Sequence, residues 1–222
     1  MADICDVIRG LCRTRVTLLD ELGDVANVTN NSWVSQGLVS VAISPEIEAG
    51  DTGTLKNGCG KKLASFADDD IRDRYDITIV DGLHEPGLRA MILGEDLIME
   101  GSQVIGGSAA DQTADDWEPA RVALEFWMKL YDGDAQDQVK PWLYMLFPGT
   151  FSWVEQDVTI GADFTTPGFV GKSTKNTLWG DGPYPEPVLT PSGQLGPIFN
   201  HAQVDTDPPA SACGFAHIAP GS

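Results

Sequence analysis

The chain of 222 residues is predicted to be mainly β, a sandwich or barrel with one short flanking helix and a long loop. Three observations predict this. Apolar residues recur with a period of two in several stretches, as strands with one packed face require. A single stretch carries helix start and stop signals. The 24 Gly and 14 Pro fall largely between the strand candidates, where an all-β fold needs its turns.

In chain order, Val39, Val41, Ile43 and Ile47 alternate with Ser40, Ala42, Ser44, Glu46 and Glu48. This predicts a strand with one packed face and one face of small and acidic residues. Pro45 has no N–H for a ladder, so an edge, a bulge or a sheet end is expected there. Residues 50–73 contain Gly50, Gly53, Gly58 and Gly60, then Lys61-Lys62, then Asp68-Asp69-Asp70. Their periodicity is weak, which predicts a long loop, and such loops in compact domains are usually functional or disordered. The clustered charges suit a partner contact; a solvated loop is the plainer reading. Tyr75, Ile77 and Ile79 alternate with Asp76 and Thr78 in a second strand. Residues 85–93 read as the helix, with Pro86 at its start, Gly94 after its end and Leu88, Met91 and Ile92 as its apolar face. Val122, Leu124, Phe126, Met128 and Leu130 alternate with Arg121, Ala123, Glu125, Trp127 and Lys129 in a third strand. Residues 142–147 are apolar at every position, predicting a strand buried on both faces and ended by Pro148-Gly149. Residues 1–179 therefore form one β domain. Residues 180–222, loop-rich and without Lys or Arg, pack on that domain or on a neighbour.

Composition excludes several functions. Hydrophobic residues make up 42%, a globular value, so a core needs no disulfide or metal. With 33 acidic and 14 basic side chains, the net charge is −19. An outer surface that binds nucleic acid needs Lys and Arg to neutralise phosphate, and an anionic membrane surface makes the same demand. No stretch approaches the roughly 20 apolar residues that span a bilayer. Met1-Ala2-Asp3-Ile4-Cys5-Asp6 is acidic and precedes no uninterrupted apolar run, so a soluble cytosolic product is expected. Cys5, Cys12, Cys59 and Cys213 are widely spaced and read as free thiols.

Motifs with chemistry are weak. Gly168 to Ser173 ends like a phosphate loop, but Thr166 stands where that loop needs Gly. Asp132-Gly133-Asp134 opens like a calcium loop, yet its sixth and twelfth positions are Asp137 and Leu143. Cys213 and His217 lack partners at zinc spacing. Asp115-Asp116 could suggest glycoside hydrolysis, but chance carboxylate pairs are certain in so acidic a chain. No catalytic, cofactor-binding or metal residue is assigned, and no cofactor is expected.

The order of motifs resembles a known family. Arg15-Val16-Thr17-Leu18-Leu19-Asp20-Glu21-Leu22-Gly23, the stretch from Gly37 to Gly50 and the turn Asn57-Gly58-Cys59-Gly60 follow in order. His84-Glu85-Pro86-Gly87-Leu88 opens the helix, and Trp142 to Pro148, Trp179-Gly180-Asp181-Gly182-Pro183, His201 and Pro208-Pro209 come after it. The ordered set is similar to the major tail tube proteins of long-tailed bacteriophages, particularly those of actinobacterial hosts. The resemblance covers most of the chain and transfers no active site.

It implies a β-sandwich whose copies close into hexameric rings, with rings stacked into a tube. The inner sheets would join edge to edge around a lumen that conducts DNA. The partners implied are the chain itself, laterally and axially, a tape measure protein and DNA in the lumen, and tail-tip and tail-terminator proteins at the ends. No membrane is involved, and the location implied is the virion after assembly in the host cytoplasm. Lumen-facing candidates are Ser40, Ser44, Glu46, Glu48, Asp76 and Thr78, with Ala42 beside them, because an acidic wall repels DNA and keeps it centred. The same face could point to outside solvent. Inter-ring candidates are Lys61, Lys62, Asp68, Asp69 and Asp70. Two other classes stay open. One is a monomeric binding module for carbohydrate or calcium, using Trp33, Trp117 or Trp153 as stacking platforms. The other is a glycosidase-like enzyme. Another tail component of the tube fold, a tail-tip hub or terminator, is a further alternative.

Overall fold

The computed structural model describes residues 6–83, 85–101, 103–109, 120–132, 139–158, 166–176, 200–204, 207–209 and 214–216. It is mainly β with one short helix. β1 (Asp6–Leu18) pairs with β2 (Ser32–Ser35) on one side and β9 (Val122–Asp132) on the other. β9 pairs with β10 (Val139–Glu155), and β10 leads through β11 (Gly168–Ser173) and β6 (Ile71–Asp81) to β3 (Leu38–Glu48). β12 (Asn200–Val204) joins the first half of β10, and β13 (Gly214–Ala216) ends the sheet on β2. All pairings are antiparallel. The sheet has free ends at β13 and β3, so it is not a closed barrel.

β10 makes the sheet fold over. Its 17 residues lie first between β9 and β12, then beside β11. The expected stop at Pro148-Gly149 does not occur. Instead the β9 register shifts between Phe147 and Thr150, and the strand continues. Proline lacks a donor but is tolerated at such an irregularity. The carbonyl this frees is used: Pro148 O accepts from Asn176 Nδ2 at 2.7 Å. Because of the bend, Val16, Trp33, Val122, Leu124 and Phe126 from one half pack in one core with Ile77, Ile79 and Phe169 from the other.

The helix α1 (Pro86–Leu93) closes this core with Leu88, Met91, Ile92 and Leu93. It matches the predicted bounds. Pro86 occupies its first turn, and Gly94 ends it at φ 69°, donating its N–H to Ala90 O. Glu85, the residue before it, does not cap the helix. Its carboxylate accepts from Trp33 Nε1 at 2.7 Å and Ser35 Oγ at 3.0 Å, fastening the helix start to β2. Gly87 lets the helix touch Trp33, since a Cβ there would lie 2.1 Å from the ring. Arg89 then ties α1 to Glu95 and to Glu155 on β10.

The other face of β9 and β10 is buried too. Ala123, Trp127, Tyr144 and Leu146 pack with Val25. Among them Glu125 is fully buried and receives Arg15 Nε at 2.5 Å, Arg15 Nη2 at 2.6 Å and Tyr144 Oη at 2.7 Å. This half is buried on both faces, and the β3–β6 ribbon extends from it.

Candidate functional site

β3 and β6 form a ribbon whose two faces differ. On the inner face Val41 and Ile43 stand opposite Ile79 and Ile77, and both β6 residues are fully buried. On the outer face Ser40, Ala42, Ser44 and Glu46 stand opposite Val80, Thr78, Asp76 and Arg74. The predicted alternation is present only in the middle of β3: Val39 and Ile47, expected on the packed face, are 64% and 59% exposed, each beside a register shift at an end of the strand. It brings Ser40, Ser44, Glu46, Asp76 and Thr78 onto one surface. Glu48 lies past a register shift between Glu46 and Ile47, where it stands opposite Ile71.

β11 continues this surface with Val170 opposite Thr78 and Lys172 opposite Asp76. The face is thus not simply acidic. Arg74 binds Glu46 through two hydrogen bonds, the Nη2–Oε1 contact at 3.0 Å. The guanidinium hydrogen bond holds the Glu46 carboxyl below its ordinary range, and Lys172 adds to this. Sequence reading missed Arg74 and Lys172 as members of this face. Neither has a local motif; only the register reveals that they meet the acids.

β3 ends the sheet, as Pro45 led one to expect, and among the described residues no strand pairs with the outer edge of its 11 residues. Beyond Glu48 the ribbon does not stop. The segment expected to be an irregular loop is a hairpin, β4 (Thr52–Lys56) and β5 (Lys62–Ala67), joined to the ribbon by Asp68 N donating to Asp51 O at 2.9 Å. Weak periodicity hid it because every β5 side chain is exposed, so no buried face patterns the sequence. Among the described residues, the hairpin packs substantially only on itself. Its turn is held by Asn57, whose Oδ1 accepts from Cys59 N and Lys61 N, with Gly60 at φ 80°.

The register gives the arm two faces. Phe66, Leu55 and Ala64 share one, with Phe66 lying across Gly53; Thr52, Thr54, Ser65, Lys56 and Lys62 share the other. Leu55 and Phe66 are 62% and 60% exposed. The charges that sequence reading grouped are separated along the arm. Lys56, Lys61 and Lys62 stand at its tip, and Asp51, Asp68, Asp69 and Asp70 at its root. A second exposed hairpin, β7 (Asp96–Glu100) with β8 (Gln103–Ser108), was not anticipated.

No family model and no curated protein matches this chain.

Other candidates fare differently. Trp33 and Trp153 are core residues, 7% and 6% exposed, and so are unavailable as sugar platforms. Gly168 to Ser173 is a strand and not a loop before a helix. Trp117, Asp115-Asp116, the turn after Asp132, Cys213 and His217 lie outside the described residues. Among the described residues, no three His, Cys, Asp or Glu side chains converge as a metal site, and no helix is long and apolar enough to cross a membrane.

Proposed function

We propose that the chain is a structural subunit that assembles with itself into the tail tube of a long-tailed bacteriophage. One observation carries the reading. Among the described residues, the β3–β6 ribbon offers an 11-residue unpaired sheet edge and runs on into an arm that packs substantially only on itself. A long open edge invites strand addition unless something covers it. An arm with an exposed apolar strip and a cationic tip, on a chain of charge −19, has the chemistry to dock on another copy. A lateral contact that closes makes a ring, and an axial contact between rings propagates without end.

In this reading the edge of β3 joins the next subunit in the ring, and the arm reaches the next ring. The face of Ser40, Ser44, Glu46, Asp76 and Thr78 lines the lumen, where the tape measure protein and then DNA would pass. Its chemistry suits a sliding polyanion. Ser40, Ser44 and Thr78 are small or hydroxylated, Arg74 is paired with Glu46, and Lys172 stands opposite Asp76 on the neighbouring strand. A cation already matched by a carboxylate releases few counterions on meeting phosphate, so DNA gains little by binding.

Negative-stain imaging of the purified protein tests the proposal. Rings or tubes are expected, and a variant with residues 52–67 replaced by a short turn is expected to give rings that fail to stack. A wild-type chain that stays monomeric at high concentration, and also with tail-tip complex added, defeats it.

A further inference from the structure

The half of the sheet formed by β1, β9 and β10 carries a cavity of about 360 Å³. Arg13 and Lys129 reach it from β1 and β9, Trp142 from β10, and Asp207, Pro208 and Pro209 from the segment after β12. The two cations have few partners among the described residues. Arg13 Nη1 donates to Cys12 O at 2.8 Å, but its Nε is shielded from solvent and finds no acceptor among the described residues. Lys129 has no hydrogen-bond or ion-pair partner among the described residues. By contrast, Arg15, Arg74 and Arg89 are each held by at least one glutamate. The cavity thus gathers two cations that no carboxylate holds among the described residues.

The chemistry of the cavity selects its guest. A shielded donor without an acceptor is unfavourable until an acceptor arrives. A guanidinium fork matches a carboxylate, and the ammonium beside it adds a second positive charge. Trp142 and the two prolines supply apolar walls for the stem of an acidic side chain. The Asp207 carboxylate is already engaged, accepting from Trp142 Nε1 at 3.2 Å.

We infer that this cavity receives a carboxylate presented by a second copy of the chain. The inference rests on the self-assembly reading above and names one of its contacts. The donor is the run Asp68-Asp69-Asp70 at the root of the arm. These three residues are exposed and contiguous, and no ion pair holds them among the described residues, although Asp70 Oδ1 accepts from Gly50 N at 3.0 Å. The arm they belong to packs substantially only on itself, so they are presented outward.

The test compares wild type with two variants, Arg13→Gln/Lys129→Gln and Asp68→Asn/Asp69→Asn/Asp70→Asn, by sedimentation and negative stain. Each variant should keep the wild-type melting temperature yet need about tenfold more protein to assemble, the loss of roughly 1.4 kcal/mol at a contact. Combining them should add no further defect, because both remove the same contact. Charge reversal sharpens this: Arg13→Glu/Lys129→Glu copies and Asp68→Lys/Asp69→Lys/Asp70→Lys copies should assemble better mixed than alone. Assembly of either variant at the wild-type concentration overturns the inference and leaves the tube reading intact. Additive defects, or a defect confined to the cation variant, overturn it too and point to a different anion in the cavity. A wild type that never forms rings removes the reading and the inference together.

Discussion

β9 and β3 are both 11-residue antiparallel strands with alternating apolar residues, and each sets a glutamate against an arginine on the strand beside it. Their surroundings differ. The Arg15–Glu125 side chains are 7% and 0% exposed, whereas those of Arg74–Glu46 are 32% and 42% exposed. The first pair is locked under Trp127 and Tyr144. The second lies on an open face at the edge of the sheet. The same pairing chemistry serves cohesion in one place and local charge matching in the other, and burial decides which.

The comparison breaks most easily at Glu125. Glu125→Ala leaves a guanidinium and a phenol hydroxyl inside the protein without their acceptor. A loss of about 3–5 kcal/mol is expected, lowering the melting temperature by something on the order of 10 °C for a chain of this size. The double variant Arg15→Met/Glu125→Leu should be less damaged than Glu125→Ala alone, because no charge is then stranded. Equal damage in thermal melts would mean that the pair contributes only packing volume.

Two glycines sharpen the contrast by about 1–3 kcal/mol. At Gly87 and at Gly53 an added Cβ would come within 2.1 Å of an aromatic ring, Trp33 in one case and Phe66 in the other. Trp33 is wedged between the helix and Phe215, with its Nε1 bound to Glu85, so it cannot withdraw. Gly87→Ala should therefore destabilise, although Ala ordinarily favours a helix over Gly. Phe66 can swing into solvent, so Gly53→Ala should leave the melting temperature unchanged. A parallel pair of melts checks both.

This contrast also marks what the sequence makes legible. Burial writes a period into the chain, so β9, the inner face of β3 and β6, and the helix with Pro86 and Gly94 could all be read. Where no face is buried, as in the arm, nothing patterned the residues and a hairpin looked like a loop. The opposite extreme misleads as well. Alternation put Glu125 on the face away from Leu124 and Phe126, but it gives the face and not what covers it. Pro148-Gly149 looked like a strand end because the partner strands that carry β10 onward are distant in sequence. The outer-face residues Ser40, Ser44, Glu46, Asp76 and Thr78 were found by period alone, whereas Arg74 and Lys172 required the register.

The smallest expected effect is on the acid limb of stability, and it separates two carboxylates of similar chemistry. Both Glu46 and Glu155 are held below the ordinary value of 4.5, first by a hydrogen bond from an arginine, Arg74 and Arg89 respectively. A carboxyl that is more acidic in the folded chain favours folding once pH exceeds its unfolded value, and that contribution fades as pH falls through the lowered folded value. Both residues therefore make the protein weaker in acid below the ordinary glutamate range and contribute no slope near neutrality. The consequences should differ because Arg89 also holds Glu95 and lies over Phe169, so protonating Glu155 loosens the anchorage of the helix. Protonating Glu46 frees only Arg74 at the exposed edge. Denaturant melts taken from neutral pH into acid should show a shallower acid limb for Glu155→Gln than for wild type, with Glu46→Gln changing it less. Identical limbs for Glu155→Gln and wild type would mean that Glu95 alone holds Arg89, and that the link from the helix to β10 carries no stability.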